Sequence, residues 1–369
     1  MSTVKRFSLC VALLLFVTAG VSSAADPAGS ITYAPGKVGG GAGKHIVFVC
    51  GEWEYRCEES LPMIAKILAT RHGFKCTVLF SMDPKDGTVN PAIKTNIPDM
   101  HLLKTADMMV VFAMDLELPD EQMKHFVDFV DSGKPVFGIR CTLLSFKYNK
   151  NKKSPYAARF DCRNKGGYSV GLFGESWKGH YGHHARESTR GLRAGLQERN
   201  PLLRGVFDVW GTTDVYRVTK LPKDATVLMY GQVLVGMKPT DPPNLKKAVM
   251  PMVWTRQIQN ESGKPRRIVM STIGAAQDME SEDLRRLYVN CIYWAVGLEA
   301  KIPPKADVNY VGGDWKGSKF GGGTYKKGLK PADFAIKEKV SKAPAKKPAK
   351  PTSLAKTASP PAKTKQTAQ

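Results

Sequence analysis

The chain has 369 residues, 42% of them hydrophobic, and a formal charge of +22. Apart from one short apolar run near its start it has no long apolar stretch, which speaks against a membrane span, and its length fits one α/β domain with extensions. The positive excess is shared between a tail at 339–369, which carries eight lysines and no acid, and a basic body; this suits solubility and loose attraction to anionic polymers better than specific nucleic-acid recognition.

Lys5 and Arg6 precede an apolar run at 9–17, and Ser22, Ser23 and Ala24 offer small residues for cleavage. Residues 1–24 therefore read as a secretory signal, and the mature protein is expected in the periplasm or outside the cell. A Gly/Pro-rich lead-in follows at 25–43. The main domain is expected over 44–300, a Gly-rich extension over 301–338, and a disordered Lys/Pro/Ala tail over 339–369. The tail is the candidate contact with an anionic polymer or envelope surface.

The run at 45–50 is apolar throughout, as a strand buried on both faces would be. A helix is predicted over 59–71, with Leu61, Ile64, Ala65 and Leu68 on one face, Pro62 in its first turn and Gly73 just past its end. Strands are predicted at 76–80, 108–113 and 135–140, a short helix near 100–105 and a helix at 119–132. This alternation predicts an α/β fold, a flavodoxin-like three-layer sandwich with a mostly parallel central sheet. Ligands of such sheets bind beyond the carboxyl ends of the strands, here 51–56, 114–117 and 141–146. Further strands are predicted at 208–217, 227–235, 250–257 and 267–271, and a last helix at 281–296.

The stretch at 171–190 holds three of the seven histidines, His180, His183 and His184, within five positions, with Trp177, Glu175 and Glu187 among them. It lacks the period of a helix or strand, and Gly-punctuated loops rich in His and Trp are where ligand contact concentrates. Three readings stand. The imidazoles transfer protons or hydrogen-bond a ligand. They bind a divalent metal such as zinc, with Glu187, Glu175, Glu52 or Asp278 completing the set. Or they pair with backbone in a structural loop.

Cys141 follows a predicted strand, where a nucleophile would stand. Glycine does not follow it and no histidine lies beyond His184, so glutamine amidotransferase chemistry is not expected and Cys141 reads as a strand-end core residue. Six cysteines remain after the signal, Cys50, Cys57, Cys76, Cys141, Cys162 and Cys291. No Cys-x-x-Cys occurs, and spacing alone does not pair them. The loop at 51–56 mixes Glu52, Trp53, Glu54, Tyr55 and Arg56, groups suited to the faces and hydroxyls of a sugar.

Several blocks together resemble ThuA-like (trehalose utilisation) proteins, above all the exported branch of planctomycete-type bacteria. They are Glu54-Tyr55-Arg56 with Glu58-Glu59-Ser60, the run 118–122, the block 177–184, the run 211–216, Trp254-Thr255-Arg256 and the stretch 274–294. The resemblance covers roughly 45–335. It implies a flavodoxin-like sheet related to class I glutamine amidotransferases but without their triad. It also implies a carbohydrate or an oxidised (keto) sugar as ligand. The family pattern has arginines where this chain has Met114 and Leu116, and a Thr-x-His-like group where it has Leu143, Leu144 and Ser145.

The expected site has His180, His183, His184 and Arg140 as catalytic groups, the three histidines doubling as metal ligands. Glu52, Glu54, Tyr55, Arg56, Trp177, Asp214, Arg256, Gln277 and Asp278 are expected to bind substrate. If the protein is an enzyme, it is a sugar isomerase, lyase or hydrolase acting by acid–base or metal-assisted chemistry. The alternative is a non-catalytic glycan-binding relative with a degenerate site, held at the envelope by its tail. An intact histidine cluster beside a carboxylate would favour the first, and a rim plugged by Met114 and Leu144 the second.

Overall fold

The computed structural model describes residues 29–197, 199–259 and 265–337. The expected signal segment and basic tail lie outside the described residues.

Among these residues one sheet of ten strands runs through the molecule. In chain order they are β1 (Ser30–Tyr33), β2 (His45–Gly51), β3 (Lys75–Phe80), β4 (Met108–Ala113), β5 (Val136–Ile139), β6 (Thr189–Arg193), β7 (Val209–Gly211), β8 (Ala225–Val233), β9 (Met250–Gln259) and β10 (Pro265–Ser271). The spatial order is β1-β3-β2-β4-β5-β10-β9-β8-β6-β7. The centre, β3-β2-β4-β5-β10, is parallel throughout, and its order is that of a flavodoxin-like sheet. Antiparallel partners extend it, β1 on one side and β9, β8, β6 and β7 on the other.

Helices cover both faces, as the apolar run of β2 requires. Ile46, Phe48 and Cys50 point into a core with α1 (Cys57–His72) and α5 (Glu282–Ala295). Val47 and Val49 point into a second core with α2 (Asp120–Asp131) and α4 (Gly167–Phe173). A one-turn helix, α3 (Ala157–Phe160), adds Phe160 to that second core. The molecule is thus the expected α/β three-layer sandwich. Helix α1 starts at Cys57, two residues before its predicted start, so Pro62 falls in the second turn and not the first. The strand predicted at 208–217 is short: only Val209–Gly211 pairs as a strand, because the residues after it leave the sheet to meet the histidine loop.

The segment after α5 returns across the molecule. Tyr33 Oη donates to the carbonyl of Phe334, whose ring stacks on Phe80 at 4.9 Å. The amide of Gly321 donates to the carbonyl of Glu54 at 2.7 Å. This places Phe320 at the carboxyl end of the parallel strands, where the site is found.

Candidate functional site

Four loops converge at this rim. Strand β5 ends in a sharp turn at Arg140, whose φ of 44° is left-handed and rare for a residue with a side chain. The turn sends the guanidinium inward. It is fully buried, lying 4.1 Å from the ring of Tyr55 and 4.5 Å from that of Tyr216. A buried cation needs both partners and charge balance. Arg140 donates to the carbonyls of Asp214 and Thr272 at 2.8 and 2.9 Å and to Asp214 Oδ1 at 3.3 Å.

Asp214 is the hub of the site. Its carboxylate, also fully buried, meets His180 Nδ1 at 2.8 Å through Oδ2 and His184 Nδ1 at 3.3 Å through Oδ1. The other nitrogen of His184, Nε2, lies 2.9 Å from Glu54 Oε1. The result is a chain Glu54–His184–Asp214–His180 with Arg140 beneath it. Both histidines and Glu54 remain partly open, with side chains 33%, 31% and 22% exposed for His184, His180 and Glu54. The two imidazoles sit 4.5 Å apart, flanked by Trp177 and Tyr216 at His180 and by Phe320 at His184.

Backbone pairing holds the histidine loop in place. His180 bridges Tyr216, the amide of Tyr181 donates to Val215, and the amide of Arg217 donates to Gly179. Gly182 permits the approach, since a Cβ there would stand 2.7 Å from Asp214 Cβ. On the other side, Asp278 accepts from Thr212, Thr213, Gly274 and Ala275, fixing the backbone just before Asp214.

Hydrogen bonds to Asp214 and then to Glu54 push His184 from its ordinary 6.5 up to about 9, so at neutral pH it is an imidazolium between two carboxylates. Burial alone would raise Glu54, but the bond from His184 outweighs it and the carboxyl is lowered. Asp214 is held well below the usual carboxylate range, because bonds from His180 and His184 and the charge of Arg140 overcome its burial.

The sequence-predicted residues are thus sorted. His180, His184, Glu54 and Asp214 come together, with Trp177 beside them, and Asp214 is an internal hub where a substrate contact was expected. His183 does not join: it is exposed, and its backbone amide donates to Glu187 Oε2 at 2.6 Å. Arg140 and Tyr55 lie under the site and face no solvent. Glu52 is fully buried and accepts from the amides of Glu54, Tyr55 and Cys57, so it folds the loop instead of binding a hydroxyl. Arg56 is buried too, pairing with Glu58 and holding Gly321 and Thr324 of the returning segment. Arg256 pairs with Asp224 and caps the carbonyls of Gly171 and Leu172. Asp278 is structural, and Gln277 packs beside Gly317. Cys141 is buried against Tyr216 Oη at 3.4 Å, and burial pushes its thiol well up, which suits a core residue and not a nucleophile. Sequence reasoning missed Tyr216, Thr272 and Phe320. Phe320 carries no periodic signal in its Gly-rich surroundings.

The three histidines do not form the expected metal triad. His180, His184 and Asp214 do bring one ligand atom each within 4.8 Å of the others. This set fits a cation poorly: both Asp214 oxygens already serve Arg140 and the imidazoles, and both nitrogens of His184 face carboxylates that keep it protonated.

No family model and no curated protein matches the chain. Solved structures do. Two of the similar structures are ThuA-like proteins. The one from Parabacteroides merdae has 14% identity and a TM-score of 0.43, covering 69% of this chain and 90% of its own. The one from Bacteroides uniformis has 16% identity and a TM-score of 0.41, covering 71% of this chain and 94% of its own. A glutaminase domain of Trypanosoma brucei CTPS, solved with bound acivicin, has 11% identity and a TM-score of 0.33, covering 72% of this chain and 98% of its own. At such distances the chemistry of this rim has to be read from its own residues.

Proposed function

We propose that this protein is an acid–base catalyst acting on a carbohydrate or its oxidised (keto) derivative, exported to the periplasm or beyond. The observation that carries this reading is the chain Glu54–His184–Asp214–His180 at a partly open rim. Asp214 takes the Nδ1–H of His180, which leaves Nε2 as a base. His184 is a fixed imidazolium whose Nε2–H, now given to Glu54, is the donor that a substrate carbonyl oxygen would take over. A base and a cationic donor this close suit removal of a proton next to a carbonyl, with the developing oxyanion held by His184. Isomerisation or elimination of a keto-sugar follows from such a step. Trp177 supplies an aromatic wall for a sugar face.

The test is turnover of a panel of disaccharides and their keto derivatives by the mature protein and by His180→Ala. Turnover lost by ~10²–10⁴-fold in the variant supports the reading. Turnover equal in both sinks it. The second reading, a non-catalytic glycan-binding protein, has its own support: Met114 and Leu144 are buried at the rim, where the family pattern implies polar groups. Glycan binding without turnover on any member of the panel would favour it. A divalent metal is tested in the same samples, since a stoichiometric ion lost in His180→Ala would replace the proton-transfer account.

A further inference from the structure

Cys50 is the sixth residue of β2 and Cys57 the first of α1. The six residues between them form the loop that carries Glu54 to His184. Both thiols are buried, and their sulfur atoms face each other at 2.8 Å, closer than two unbonded sulfurs pack. The loop is already drawn tight around them: the amide of Glu52 donates to Cys57 Sγ at 3.5 Å, and the Glu52 carboxylate accepts the amide of Cys57 at 3.0 Å. The remaining described cysteines show no such facing pair. Cys141 meets Tyr216 Oη and Cys162 meets Ser169 Oγ.

We propose that Cys50 and Cys57 are joined by a disulfide in the mature protein, closing the 51–56 loop covalently beneath the site. The bond forms by exchange with a small or protein disulfide. One thiolate attacks the oxidant and the second displaces it from the mixed disulfide. The protein gives up two protons and two electrons, and the oxidant's disulfide becomes two thiols. Exchange occurs before the loop closes, because burial pushes both thiols up and leaves little thiolate in the folded state. The cross-link then fixes both ends of the loop that presents Glu54 at the rim. The oxidising compartment it needs is the one that export would provide.

The experiment maps cysteines in two samples of the mature chain: one exported by its host, and one reduced, unfolded and refolded with oxidised glutathione. Each is alkylated while denatured, without reductant, then digested and weighed. The expected result in both is a peptide linking Cys50 to Cys57, two hydrogens lighter than its reduced form, with Cys76, Cys141, Cys162 and Cys291 alkylated. Alkylation of all six in the refolded sample overturns the pairing itself. A link from either residue to another cysteine also overturns it. A bond in the refolded sample but not in the exported one overturns the proposal for the mature protein and leaves the catalytic reading of the rim untouched.

Discussion

Asp214 binds three side chains at once, and each depends on its charge. Replacing it with Asn leaves Arg140 buried between two tyrosines without a counter-charge. Breaking a buried pair from one side costs ~3–5 kcal/mol, so Asp214→Asn is expected to lower the thermal midpoint strongly and to free both histidines. Thermal unfolding checks this, and an unshifted midpoint would show that Arg140 is paired elsewhere. His184 gives a sharper prediction. Its proposed role needs the proton that Asp214 and Glu54 keep on it up to about 9. The rate on a keto-sugar should therefore fall as pH rises through that value. In Glu54→Gln one of the two supporting carboxylates is gone, so the descending limb should move to lower pH. A limb that stays in place would mean that His184 is not the titrating group.

Among the elements, the histidine loop and the segment 212–217 act as one unit, held by backbone bonds and by the absence of a side chain at Gly182. Gly182→Ala would push a methyl group against Asp214 Cβ, which stands 2.7 Å away. Overpacking of this kind costs ~1–3 kcal/mol. The expected outcome is lost turnover with a native far-ultraviolet spectrum, and full activity would show that the loop moves as a body. These elements also show how far the sequence could be read. The apolar run of β2 and the amphipathic helices announce the sandwich, because burial on two faces leaves a pattern in the chain. The stretch at 171–190 is legible as a site because its composition is odd, although its ends are not loop: 171–173 close α4 and Thr189 and Arg190 open β6. Its internal order is not legible: His183 and His184 are neighbours, and only the turn at Ala185, with φ of 58°, and the reach of Asp214 decide which faces inward. Glu52, Arg56 and Asp278 look like ligand groups in the sequence because buried backbone and the returning segment use the same chemistry as hydroxyl recognition. Contacts that join residue 54 to residue 321 leave no local signature.

For the whole molecule, the groups that shape the site also set how stability responds to pH. His184 has an ordinary value of 6.5 and a folded value of about 9, so the folded protein keeps a proton that the unfolded chain loses. Its contribution is full below 6.5 and is lost as pH rises through about 9. Glu58 acts in the same direction from lower pH. Burial first, then the nearby Glu52 charge, raises it from 4.5 to about 8, so stability declines between those values as the unfolded chain ionises and the folded one resists. Asp214 is opposite in sign: its contribution is present above 3.8 and is lost as pH falls below it. The thermal midpoint is therefore expected to fall between pH 6.5 and 9. Glu58→Gln should flatten the part of the decline below about 8, and His184→Gln the part that runs on to 9. Calorimetric scans of the three proteins at fixed ionic strength separate these contributions. A wild-type midpoint that rises from pH 6.5 to 9 would mean that His184 does not hold its proton between Glu54 and Asp214, and the charged donor at the centre of the proposed chemistry would be lost with it.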